Sequence, residues 1–233
     1  MALKRVLVQA GHIAPREPGH KQQTGTVREQ ELTREVRNRL VKMLRADGRF
    51  QPIPAPGDIP NGIKVDAGIF LHGDGVDDPT AGGYHFGFPD FQVNKRLAKL
   101  IGEEFDQIHG HPKHRMDNAT ADASGYYGFG LTVTDGPEVL VEHGFLTNPT
   151  ERKWMFSHLH AIANAEYSAL CKFFDLEPRG EVEEARVGFI VTWTDAEGVK
   201  HRKRTFTPLR LVRRLLERGS SLIRVRQVPQ PET

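Results

Sequence analysis

Three short apolar runs, residues 4–9, 67–72 and 137–142, constrain this chain most. Each closes on a glycine turn or a lone polar side chain, and stretches of helical periodicity lie between and after them. Apolar runs of this length, bounded by Gly or Pro, read as buried strands. Residues 27–47 carry Leu32, Val36, Leu40, Val41 and Leu44 at steps of three or four, which predicts an amphipathic helix. Gly48 stands where the C-terminal cap of that helix belongs. Residues 91–107 repeat the pattern with Val93, Leu97, Leu100, Ile101 and Phe105, and residues 150–174 with Leu159, Ile162, Ala163, Leu170 and Phe173. Residues 52–60 read as a Pro-rich connection, 84–88 as a short strand, 109–130 as irregular chain and 131–133 as an edge strand. This alternation predicts an α/β fold, a mostly parallel, twisted sheet flanked by helices.

Beyond a polar linker at 175–184 the pattern changes. Residues 187–194 and 199–206 read as a hairpin around Asp195-Ala196-Glu197-Gly198. Pro208 opens a helix striped by Leu209, Val212, Leu215 and Leu216, Gly219 ends it, and residues 222–228 give a last strand. The expected organisation is a larger domain at 1–178 and a small ββαβ module at 185–233. Net charge is +2, too small for a dedicated nucleic-acid binder, but it is unevenly spread. Residues 181–233 hold 11 Lys+Arg against 7 Asp+Glu, whereas residues 1–180 hold 21 against 23. Lys200, His201, Arg202, Lys203 and Arg204 form the densest basic run, with Arg210, Arg213, Arg214 and Arg218 further on. That suits attraction to an anionic polymer or membrane surface, or simply a solvated face. Only Trp193 and Phe206 offer stacking for a nucleic acid, and none is expected as a partner. No apolar run approaches the roughly 20 residues that span a bilayer. The N-terminus lacks the apolar core of a signal peptide, so synthesis in the cytoplasm is expected.

One cysteine, Cys171, excludes an internal disulfide and any site needing two thiolates. A metal site must then use imidazoles and carboxylates. Ligands of open α/β sheets gather at the carboxyl ends of strands. His12 follows the first strand, His72 ends the second, Glu142 ends the third, and Glu29 opens the first helix. Two imidazoles and one carboxylate are a common set for catalytic zinc, and a further carboxylate can serve as a base. Each residue also has an ordinary explanation: a solvated His, or a first-turn Glu favoured by the helix dipole. His109, His111 and His114 form a second cluster, read as a solvated loop more readily than as a metal site. His143 follows Glu142 and points to the opposite face of its strand.

The strings around these residues resemble a known family. Val8-Gln9-Ala10-Gly11-His12 looks like the opening "DPGHGG" segment of the zinc-dependent N-acetylmuramoyl-L-alanine amidases of the amidase-3 type. Gly25-Thr26-Val27-Arg28-Glu29 is similar to that family's second motif, and Ile69-Phe70-Leu71-His72-Gly73-Asp74 to its "ISIHAN" strand. Gly83-Tyr84-His85-Phe86 resembles its Gly-aromatic segment. Residues 139–148, ending Glu142-His143-Gly144-Phe145-Leu146-Thr147-Asn148, are close to its "vLVExGFlsN" motif. The likeness runs through residues 4–175 in the family's order. It departs at Gln9-Ala10, where Asp-Pro is usual, and at Ile13-Ala14, where two glycines are usual.

The resemblance implies one zinc ion held by His12, Glu29 and His72, with Glu142 as acid and base. Glu31, the rival of Glu29, is out of register with the Gly-to-Glu spacing. The implied reaction is hydrolysis of the amide between N-acetylmuramic acid and L-alanine in peptidoglycan. His85, Asn148 and Tyr126 are candidates for lining the substrate cleft. A catalytic domain joined to a small basic module, without a visible export signal, resembles a phage endolysin acting in host lysis. The rival readings are a zinc peptidase cutting within the stem peptide and a non-catalytic wall-binding protein with a degenerate site.

Overall fold

The computed structural model describes residues 2–13, 25–118, 121–179, 188–194, 200–205 and 221–228. Along the chain run β1 (Lys4–Ala10), α1 (Glu29–Asp47), β2 (Phe50–Ala55), β3 (Ile63–Lys64), β4 (Ala67–Asp74), β5 (His85–Gly87) and α2 (Gln92–Phe105). Then come α3 (Ala121–Ser124), a 3-10 turn (Tyr127–Gly130), β6 (Thr132–Val133), β7 (Glu138–Phe145), α4 (Pro149–Ser157) and α5 (Leu159–Phe173). A second unit holds β8 (Gly188–Thr194), β9 (Lys200–Thr205) and β10 (Ser221–Val228). The expected α/β architecture is present. The main sheet has the order β2-β1-β4-β7-β5, with β5 antiparallel to β7 and the other neighbours parallel.

Side-chain alternation along the strands separates two layers. Val6, Val8, Ile69, Leu71, Val139 and Val141 pack with the apolar stripes of α1, α2 and α5 in the main core. Leu7, Phe70 and Leu140 face the other way, onto Ile59, Val65 and the half-buried Tyr126, Phe129 and Leu131. That second face is covered by connecting chain. Gln9, His72, Glu142 and His85 share its parity, so the polar ends of four strands converge there.

Three expectations need correction. Residues 52–60 are more than a connection, because β2 pairs with β1, with Val6 opposite Pro52 and Val8 opposite Pro54. Prolines two apart leave their missing N–H groups on one edge, and β2 is the outermost strand, where nothing needs those donors. The single helix expected over 150–174 is broken at His158 (φ −122°, ψ 20°). Ser157 Oγ donates to the Trp154 carbonyl at 2.8 Å, and His158 Nδ1 lies 2.9 Å from it. With that acceptor engaged by side chains, the His158 N–H turns to Met155 O, one residue nearer. Residues 109–130, read as irregular, contain α3 and the 3-10 turn, and β6 pairs in parallel with β3.

The chain divides into two compact units, Met1–Gly180 and Glu181–Thr233. In the second, β8 lies between β10 and β9, and both pairings are antiparallel. The helix expected after Pro208 lies outside the described residues.

The end of the first unit is tied to its core through Asp47, whose side chain is fully buried. Asp47 accepts from Arg49 Nε at 2.6 Å, Arg49 Nη2 at 2.7 Å and Tyr167 Oη at 2.6 Å. Arg179 Nη1 donates to the Asp47 backbone carbonyl at 2.6 Å. Burial pushes the Asp47 carboxyl up, but the Arg49 and Tyr167 donors outweigh it and hold the pKa at about 2, below the ordinary 3.8. A carboxyl with a depressed folded pKa stabilises above its unfolded pKa and ceases to do so as pH falls through the folded one. Stability should therefore decline by on the order of 2 kcal/mol between about pH 4 and pH 2 from this group alone. Urea unfolding checks it: Asp47→Asn should flatten that acid limb, and an unchanged limb would place the acid sensitivity elsewhere.

Candidate active site

The site is built where β1, β4 and β7 end and α1 begins. β1 ends at Ala10, and His12 takes a left-handed backbone (φ 62°) that turns the chain out of the sheet. Glu29 is the first residue of α1. Its Oε2 accepts from the Thr26 N–H at 2.8 Å, so the carboxylate folds back over the helix start. Its Oε1 accepts from the Gly73 N–H at 3.2 Å. The same oxygen lies 3.1 Å from His72 Nδ1 and 3.4 Å from His12 Nε2. The two imidazoles meet edge to face, centroids 5.1 Å apart. One donor atom from each of His12, Glu29 and His72 lies within 4.8 Å of the others.

Two motif glycines are explained by this crowding. A Cβ at Gly11 would stand 2.4 Å from His72 Cε1. One at Gly25, whose φ of +70° already favours glycine, would stand 2.3 Å from Glu29 Oε2 and 2.9 Å from His12.

His72 pairs in register with Glu142, and Glu142 with His85, so the three form a row across β4, β7 and β5. Beyond Glu142 the β4–β7 register shifts by one residue. Glu142 Oε2 is inaccessible and meets no hydrogen-bond partner among the described residues. Burial, with the Glu29 and Asp74 carboxylates nearby, pushes its pKa well above the ordinary carboxylate range. Burial also tends to raise Glu29, but its contacts with His72, His12 and the Thr26 N–H prevail and lower it. His72 is lowered chiefly by burial, which favours the neutral imidazole that a metal needs.

These observations converge with a comparison to known proteins. The profile of the amidase-3 family, N-acetylmuramoyl-L-alanine amidase, matches residues 6–172. The chain belongs to that amidase family. Among solved structures, the fold is similar to the catalytic domain of the amidase CwlV from Paenibacillus polymyxa. That likeness has 15% identity and a TM-score of 0.57, over 75% of this chain and 100% of that one. It is similar to the amidase Ami1 of Mycobacterium smegmatis (19%, TM-score 0.56, 75% and 98%). It is also similar to CwlD of Clostridioides difficile, solved with the GerS lipoprotein (18%, TM-score 0.52, 74% and 98%). No curated protein sequence matches the chain.

Within the amidase domain, the donor set suits zinc: two imidazole nitrogens and one carboxylate oxygen on a shared centre, beside the half-buried Glu142, whose Oε2 is inaccessible and unpartnered among the described residues. It is the one such cluster among the described residues. Of the other candidates, Glu31 is half-exposed and forms two 2.8 Å hydrogen bonds with Arg28. His111 stacks on Phe105 at 4.5 Å, and His114 Nε2 lies 2.8 Å from Asp117. His143 points to the helix face as expected, with Nδ1 2.6 Å from the His72 carbonyl oxygen and Nε2 2.8 Å from Glu166 of α5. His85 does face the site, its Nε2 3.8 Å from Asp74 Oδ2 and its Nδ1 buried without a partner among the described residues.

Asn148 has a structural task. Its Oδ1 accepts from Thr150 N and Glu151 N at the start of α4, and its Nδ2 donates to Ala81 O. Tyr126 packs edge-on against Phe70 and His72, and its hydroxyl lies 3.3 Å from His72 Nε2. Gln9 escaped the sequence reading. It is fully buried and accepts from Tyr126 Oη at 2.9 Å. The signal was there, since Gln9 is a polar residue inside an apolar strand and on the same face as His72.

Proposed function

We propose that this chain is a zinc-dependent amidase that hydrolyses the bond between N-acetylmuramic acid and L-alanine in peptidoglycan. The observation that carries the reading is the convergence of His12, Glu29 and His72 beside Glu142, at the carboxyl ends of the strands of an amidase-family domain. His12, Glu29 and His72 would hold the ion. Zinc, when bound, supplies Lewis acidity that polarises the scissile carbonyl and acidifies a water. Glu142 is the base that takes a proton from the attacking water and the acid that returns it to the leaving amine. Burial raises its proton affinity, so it can hold that proton between the two transfers. His85, in register with Glu142, borders the same face and is assigned to substrate contact.

Digestion of purified peptidoglycan followed by mass spectrometry tests the reading. The expected product carries a newly free L-alanine amine. A cut between residues of the stem peptide would replace the amidase by a peptidase. Absence of any cut, together with wall binding that chelators leave unchanged, would make the chain a wall-binding protein.

We further assign host lysis to the full chain, and attachment to an anionic wall polymer to the unit at Glu181–Thr233. What supports this is the joining of an amidase-family unit to a second compact unit whose sequence is net basic.

A further inference from the structure

A chain of hydrogen bonds beneath the site leads from a backbone carbonyl to His72, and each link fixes the direction of the next. The Gly57 carbonyl can only accept. It lies 2.7 Å from one terminal atom of the Gln9 amide, so that atom must be the donor Nε2. The other terminal atom is then the acceptor Oε1, and it faces Tyr126 Oη at 2.9 Å. A phenol carries one proton, and Gln9 takes it. Towards His72 the Tyr126 oxygen is left with lone pairs only, so the imidazole nitrogen 3.3 Å away, Nε2, must be the one that bears hydrogen. In the neutral ring this puts the lone pair on Nδ1, the nitrogen 3.1 Å from Glu29 Oε1. Nδ1 and the carboxylate oxygen at that distance are held together by a shared proton on a doubly protonated ring or by a cation beside them, and in either case Nε2 keeps its hydrogen.

We infer that Gln9 and Tyr126 are positioning residues that fix the His72 tautomer and aim the Nδ1 lone pair at the metal. The inference rests on the zinc reading above and adds to it which nitrogen of His72 binds and what holds it there. It also gives Gln9 a role at the place where the family's first motif usually has Asp. Like that Asp, Gln9 presents an acceptor. Unlike it, Gln9 also has an N–H donor, which locks the amide onto Gly57. Tyr127 supports the same corner: its hydroxyl accepts from Gln9 Nε2 at 3.2 Å and donates to the Gly57 carbonyl. Gln9 is fully buried and the His72 side chain is 7% exposed, so bulk water has little access to replace the missing link. Outer partners of ligating histidines typically contribute about 10–100-fold to metal affinity.

The test uses the full chain and two readouts. Long-range proton–nitrogen NMR on the metal-free wild type should show His72 carrying its hydrogen on Nε2. In Tyr126→Phe the ring packing stays and only the hydroxyl is lost, which is the acceptor facing His72 and the donor to Gln9. The tautomer signal should shift towards a mixture, and zinc affinity, read by competition with a chromophoric chelator, should weaken by about 10–100-fold. Gln9→Met, close in volume, should produce the same pair of changes and guards against a variant that fails to fold. A ring that only packs against its neighbours would leave the tautomer unmoved. A wild-type His72 with hydrogen on Nδ1 alone, or wild-type zinc affinity in Tyr126→Phe, overturns the inference. If wild type binds no zinc at this site, the zinc reading fails, and the metal-free tautomer still judges the relay by itself.

Discussion

On the zinc mechanism proposed above, Glu142→Ala should fold, bind zinc as wild type does and lose at least about a hundredfold of the activity on peptidoglycan, because a positioned acid–base group contributes some 10²–10⁴-fold. The retention of fold and metal follows from geometry. Glu142 is not one of the three clustered donors, and one of its carboxylate oxygens meets no protein hydrogen bond. Removing a buried acceptor that satisfies no donor leaves no donor orphaned, so the usual penalty for breaking a buried pair does not arise. It also relieves the repulsion among Glu142, Glu29 and Asp74 that helps keep the Glu142 pKa high. Thermal stability of the variant should therefore match or exceed wild type. Turnover by Glu142→Ala above about one hundredth of the wild-type rate would remove Glu142 from the acid–base role.

Gly11→Ala should inactivate the enzyme by a different route. No donor atom is deleted and the backbone at Gly11 is ordinary, yet the new methyl would lie 2.4–2.7 Å from three atoms of the His72 ring. The ring is held on its other sides by Tyr126 and Glu29, so it must leave its place. Misplacement of a reacting group by about 1 Å costs on the order of 10²-fold in rate. Metal content should fall with activity, while far-ultraviolet circular dichroism stays unchanged. The variant should resemble chelator-treated wild type, except that added zinc restores the latter and not the former. A Gly11→Ala protein with normal zinc content and rate would show that His72 has room that the packing does not indicate.

Much of the catalytic unit was legible because its signals are local. A glycine after an apolar run, a Glu four residues after a glycine, and heptad-like stripes each report on a few neighbouring residues. Leu32, Val36, Leu40 and Leu44 are all fully buried in α1, and Gly48 caps it at φ 75°. What was missed has the opposite character. Pro52 and Pro54 look like breakers until β2 is known to be an edge strand. The break at His158 depends on which side chain reaches the Trp154 carbonyl. The sequence also gives no direction to the side chains of Asn148 and Tyr126, and the structure adds that one caps α4 and the other lies against His72.

By itself, the sequence determined the residue types available for chemistry and the order of strands and helices that carries them to one end of a sheet. One cysteine excluded thiolate pairs, and four strand- or helix-end residues supplied imidazoles and carboxylates. Only the tertiary structure decided how those groups meet. His12, Glu29 and His72 are 17 and 43 positions apart along the chain, and parallel strand pairing brings their donors within 4.8 Å. Strand parity then sends Glu142 to the site face and His143 to the helix face. Gln9 comes to lie beneath Tyr126, 117 residues away, through a contact that no local pattern encodes. The physical reason is that periodicity is a property of neighbours, whereas a site is a property of distances between elements. Those distances are set by sheet register and by burial.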